Sequence, residues 1–157
     1  MTISDATPHW PPYAPAPGGD GSASALLIGV EDSIDFVIDP EASPVQAMEQ
    51  AGAMAALALP SMLEGAPDPI RLCADVRALL VELVDVTARH RATPMLVARM
   101  SYDGAHVTVS VGEMDRPLPV PEEEPGLYLV HGIASEVGQY AGDHGGRVTW
   151  AAVSVRT

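Results

Sequence analysis

Two stretches of alternating character, Met95–Tyr102 and His106–Val111, flank the dipeptide Asp103-Gly104. Asp-Gly between such stretches is the strongest short-range signal for a β-hairpin. In the second stretch Val107, Val109 and Val111 alternate with His106, Thr108 and Ser110, so one face of the hairpin is apolar and must be covered. What can cover it lies upstream. Ser43-Pro44-Val45-Gln46 reads as a helix start: Ser43 can cap, Pro44 suits the first helical position and Gln46 completes a capping box. This helix is expected to run to about Leu63 with a kink or break near Pro60, and its Met48, Met54, Leu57 and alanines read as core. A loop, Gly65-Ala-Pro-Asp-Pro69, leads to a second helix from about Ile70 to His90, in which Leu72, Val76, Leu79 and Leu83 recur at helical spacing.

Shorter elements complete the pattern. Ile34, Phe36 and Ile38 mark an early strand, Ser33–Ile38. After the hairpin come a Pro- and Glu-rich loop from Gly112 to Pro125, a short helix over Gly126–Glu136, a short strand near Val137–Ala141 and a last strand over Arg147–Val155. Helices and strands in this order predict an α+β fold, a two-layer α/β sandwich with a mixed, mostly antiparallel sheet covered by helices on one face.

The chain has 157 residues, enough for one domain. Its 21 Asp and Glu stand against 8 Arg and no Lys, a net charge of -13. No basic stripe can neutralise phosphates, so direct binding to nucleic acid or to an anionic membrane is excluded, and solubility is favoured. The lone Cys73 rules out an internal disulfide and suits a reducing cytoplasm; among apolar helix positions it reads as a buried structural thiol. No signal peptide is visible, and no apolar run is long enough to span a bilayer. Residues 1–24 are rich in Pro, Gly, Ser and Asp and are expected to form a flexible tail ahead of a domain over 25–157. Trp10-Pro-Pro-Tyr13 within that tail is a candidate docking element for a partner.

The stretch Glu82-Leu-Val-Asp-Val-Thr-Ala-Arg-His90 resembles the N-box helix of the GHKL (Bergerat-fold) ATPases, the class of histidine kinases and anti-sigma serine kinases. Gly126-Leu-Tyr-Leu-Val130 is similar to the helix start of that family, and Gly145-Gly-Arg-Val-Thr-Trp150 to its terminal strand. With the two helices and the Asp-Gly hairpin in the family's order, the resemblance spans residues 30–157 and implies a histidine kinase-like, Bergerat-type sandwich.

The same resemblance implies a nucleotide site, and the residues depart from it at four positions. Glu82 fits the family's glutamate, a general base or metal partner, but Val86 replaces the asparagine that holds magnesium. A valine has no oxygen for a hard cation. Glu82 itself reads as a solvated or salt-bridged carboxylate, with Arg89 as a partner on nearly the same face. The adenine-binding aspartate aligns with Val111, and the family's Asp-x-Gly-x-Gly box runs Val111-Gly112-Glu113-Met114-Asp115 here, with side chains where its glycines should leave the backbone open. Asp115 lies beyond that strand. The phosphate loop keeps only Gly126; Pro125 offers no N–H, and Glu122-Glu123-Glu124 add negative charge. Two like charges about 6 Å apart repel by roughly 3 kcal/mol at an effective dielectric of about 20. The terminal threonine aligns with Val148.

Glu82, Val86, Val111, Glu113, Gly126 and Val148 are therefore expected to line a vestigial pocket, with no catalytic residue unless Glu82 acts as a base, no metal ligand and no cofactor. His9, His90, His106, His131 and His144 lack metal-binding spacing, and nothing marks a nucleophile elbow. The expectation is a cytoplasmic pseudoenzyme in transcription regulation. The family implies a protein partner, such as a sigma factor or a STAS-type antagonist, and a homodimer; the acidic charge would also suit a DNA-binding regulator. The alternatives are an active Mg-ATP-dependent serine/threonine kinase acting on an anti-sigma antagonist, and a small-ligand sensor using the altered pocket.

Overall fold

A computed structural model describes residues 32–156. The expected tail, with Trp10 and Tyr13, lies outside the described residues. In chain order the elements are β1 (Asp32–Ile38), α1 (Pro44–Met62), α2 (Pro69–Arg89), β2 (Leu96–Tyr102), β3 (His106–Met114), α3 (Gly126–Ile133), β4 (Glu136–Ala141) and β5 (Arg147–Ser154).

The capping box forms as its sequence predicts. Ser43 Oγ accepts the Gln46 N–H at 3.1 Å, and the Ser43 N–H donates to Gln46 Oε1 at 2.9 Å. α1 continues through Pro60 to Met62. At the hairpin, Asp103 Oδ1 accepts the N–H groups of Ala105 and His106 at 2.8 and 2.7 Å, closing an Asx turn. The five strands form one sheet in the order β1-β2-β3-β5-β4, and every neighbouring pair is antiparallel, so the expected mixed sheet is wholly antiparallel among the described residues.

The fold is α+β in two layers. The register aligns Ile38 with Leu96, Ala98 with Val111, Met100 with Val109 and Val109 with Ala151, so these residues share the sheet face on which the helices pack. From α2, Leu72, Val76, Leu79 and Leu83 meet this face with no exposed surface. Burying one such side chain stabilises by roughly 1.5–3 kcal/mol. α1 differs from its expected packing. Its inward stripe is Ala47, Ala51, Gly52, Ala55, Leu59 and Met62, while Met54 and Leu57 point outward. The small residues at helical spacing let α1 lie close to α2, which turns the bulky Met54 and Leu57 to solvent.

Two further boundaries move. β3 runs to Met114, so the loop begins at Asp115 rather than Gly112, and α3 ends at Ile133, where β4 soon takes over.

Candidate functional site

Glu82 and Val86 sit one turn apart on α2, on the face that meets β3 and α3. Val86 is buried in the apolar core, together with Val111 and Met114 of β3. Glu82 lies over the first residue of α3: a Cβ added to Gly126 would overlap the Glu82 carboxylate. The glycine at the start of α3 thus admits this protein's own carboxylate. Burial pushes the Glu82 carboxyl upward, Asp85 adds to the rise, and Arg89 partly offsets it.

The expected Glu82–Arg89 pair does not form. Arg89 grips Asp85 with Nε and Nη2 at 3.2 and 3.0 Å, and Glu124 with Nη1 and Nη2 at 3.0 and 2.5 Å. Asp85 is one turn below Arg89, whereas Glu124 arrives from the Pro-Glu loop and can take both guanidinium nitrogens. Arg89 holds the Glu124 carboxyl below its usual range against the opposing effect of burial, and His90 Nε2 stands 3.7 Å from the same carboxylate. One of the three glutamates Glu122–Glu124 is therefore paired, and the Pro- and Glu-rich loop is fastened to the end of α2.

Glu113 and Val148 are corrections to the expected pocket. A register shift separates Gly112 from Met114, so Glu113 leaves the regular ladder. Its carboxylate enters the β4–β5 turn, where it accepts the N–H of Gly146 at 2.8 Å and of His144 at 3.1 Å, with His144 Nδ1 also at 3.1 Å. Burial would raise the Glu113 carboxyl, but these donors outweigh it and hold it below its ordinary range. Val148 pairs with Gly112 and faces away from the helices. The neighbouring Thr149, opposite Val111 and Gln139, faces them instead. A one-residue slip exchanges sheet faces, and Thr149 thus supplies a hydroxyl that the motif alignment had assigned as lost. That hydroxyl is engaged: it accepts Gln139 Nε2 at 2.9 Å and donates to Met114 Sδ at 3.4 Å.

Asp115 directly follows β3, is exposed, and pairs with Arg116 at 2.8 Å. Cys73 is half-buried rather than buried, and burial pushes its thiol upward. It lines a shallow groove of about 130 Å³ between α1 and α2, with Leu59, Pro60 and Arg77. Among the described residues no group of His, Cys, Asp or Glu could hold a metal ion, and no helix is long and apolar enough to cross a membrane.

Sequence reasoning missed Arg91 as well. Its guanidinium donates to the carbonyls of Pro40, Ala42 and Pro94 at 3.1, 2.7 and 2.6 Å, tying three loop positions together. Backbone carbonyl targets leave no residue-type signal, so this role has no sequence signature.

These residues do not fit a magnesium nucleotide. Val86 and Val111 are buried hydrocarbon, Pro125 lacks the N–H that a phosphate would use, and the space over Gly126 holds a carboxylate. No protein-family model matches the chain, and no curated protein matches it either.

Two titration predictions follow from the carboxylates. The Glu113 contribution is complete above the unfolded glutamate range and is lost as pH falls through its lower folded value. Glu113→Gln should therefore cost about 2 kcal/mol at neutral pH, and the gap to the parent should narrow in acid. Urea unfolding at several pH values measures both. Glu82 has the opposite sign: its raised folded value makes the ionised form a liability at neutral pH, and that liability disappears below the unfolded glutamate range. Glu82→Gln should raise the neutral-pH denaturation midpoint, with the gain vanishing in acid.

Proposed function

We propose that this chain is a non-catalytic relative of the anti-sigma serine kinases, a Bergerat-type scaffold that acts by binding another protein. The observation that carries this reading is the self-filled site. Val86, Val111 and Met114 occupy its floor, Glu82 lies over Gly126, and Glu124 is clamped on Arg89. A pocket closed by the protein's own groups counts against both the kinase and the small-ligand sensor. The two-layer α+β architecture is compatible with the Bergerat type, and function must rest on the site.

The net charge of -13 favours a basic partner surface. A sigma factor, its STAS-type antagonist or a DNA-binding regulator remains the proposed partner class, in the cytoplasm. Calorimetric titration with Mg-ATP and with ADP tests the loss of the nucleotide site. The reading expects no saturable heat, and one-site micromolar binding would overturn it. Phosphate transfer from labelled ATP to a partner, abolished by Glu82→Ala, would establish the kinase instead.

A further inference from the structure

Thr149, Ala151 and Val153 of β5 share the helix-covered face, so Trp150 and Ala152 between them face the other way. Neither belongs to the contiguous core beneath the helices. No described helix packs on this second face, yet Trp150 and Ala152 are both 0% exposed. Their cross-strand neighbours are buried too: Ser110 beside Trp150, Thr108 beside Ala152, and Ser101 beside Thr108. The direct cross-strand neighbours of Trp150 are small, Ser110 on one side and Gly138, with no side chain, on the other; Tyr140 of β4 stands diagonally on the same face, and Arg99 of β2 lies one strand beyond Ser110.

The covered area is local. On the same face Val37 of β1 and Val97 of β2 are 58% and 40% exposed. Burial on this face is therefore confined to β3, β5 and the end of β2, and the β1 edge is open. Among the described residues the Trp150 Nε1–H also has no hydrogen-bond acceptor. A buried indole donor usually finds one.

We propose that this face is a docking surface for the chain's own residues 1–31, with Trp150 as its anchor. Reach permits it. β5 is three strands from β1, about 14 Å at the usual spacing. Asp32 lies on the row Tyr102–Val107–Val153, three residues along from Trp150, or about 10 Å. Some 17 Å is spanned by about five extended residues, so Leu27 and all residues before it can reach the indole. The segment has suitable chemistry in Trp10, Tyr13, Leu26 and Leu27, and its backbone carbonyls can accept the Nε1–H. Tethering gives it a high effective concentration. A second copy would instead bring another net charge of -13 onto the first.

The test uses the full chain carrying Trp10→Phe and Cys73→Ser, which leaves Trp150 as the sole tryptophan. Cysteines introduced singly at Ser4, Thr7, Ala14, Ser22 and Ser24 carry bimane, a dye that tryptophan quenches only near contact. The expected result is a several-fold loss of emission at one or more positions, independent of protein concentration and reversed by Trp150→Phe. Quenching at none of the positions overturns the proposal. Quenching that disappears on dilution assigns the face to a second copy and also overturns it. Should Trp150→Phe fail to fold, acrylamide quenching of Trp150 in the unlabelled Trp10→Phe chain provides a second reading. A shielded indole supports the docked segment, and one as accessible as free tryptophan overturns it.

Discussion

Gly146→Ala should destabilise the protein by about 3 kcal/mol, the upper end of the usual overpacking range. An added Cβ would lie 2.6 Å from Ala92 Cβ, 2.8 Å from Glu113 Cβ and 2.9 Å from Glu113 Oε1. The carboxylate oxygen can swing away, but the two Cβ atoms move only with their backbones. Those backbones are themselves joined, since Ala92 N–H donates to the Glu113 carbonyl at 2.8 Å. Displacing Glu113 would also release the Gly146 N–H that its carboxylate accepts. Gly145→Ala is the informative control. Gly145 has φ +86 with no atom within 4 Å of an added Cβ, so its cost is the left-handed backbone alone, about 1–2 kcal/mol. Urea unfolding of the two variants separates packing from backbone conformation. A Gly146→Ala cost no greater than that of Gly145→Ala would show that the Glu113 turn is loosely packed.

Val86→Asn restores the residue that the family resemblance expects, and it should weaken the fold rather than create a nucleotide site. Val86 is 2% exposed in an apolar core. An asparagine there buries an amide with two N–H donors and a carbonyl. The neighbouring hydroxyl is already committed, because Thr87 Oγ1 donates to the Leu83 carbonyl at 2.7 Å. The expected loss is about 2–3 kcal/mol, read as a lower unfolding midpoint. Mg-ATP should not recover it, since a ligand stabilises only the state that binds it. A variant as stable as the parent that Mg-ATP further stabilises would place the site one substitution from function.

The parts of the fold that were legible in the sequence are those with local causes. The Ser43–Gln46 box and the Asp103-Gly104 turn are closed by hydrogen bonds between near neighbours, and the α2 stripe follows from helical period. The extension of β3 was not legible, because the Pro and Glu content of Gly112–Pro125 reads as loop while pairing to β5 continues past a bulge at Glu113. Long-range pairs left no signal either: Arg89 meets Glu124 across 35 residues, and Glu113 meets Gly146 across 33. In the candidate site, the absence of a side-chain oxygen at Val86 and Val111 was readable from residue type. The exchange of Val148 for Thr149 was not, because which of two adjacent strand residues faces the helices is set by pairing with β3.

The most direct measurement of the central claim is a methyl NMR titration with Mg-ATP into the millimolar range, following Val86, Val111 and Met114. Their side chains are buried, at the positions where the family resemblance would place a nucleotide. The self-filled site predicts that all three resonances stay in place. Movement of these methyls that saturates at micromolar nucleotide would contradict it.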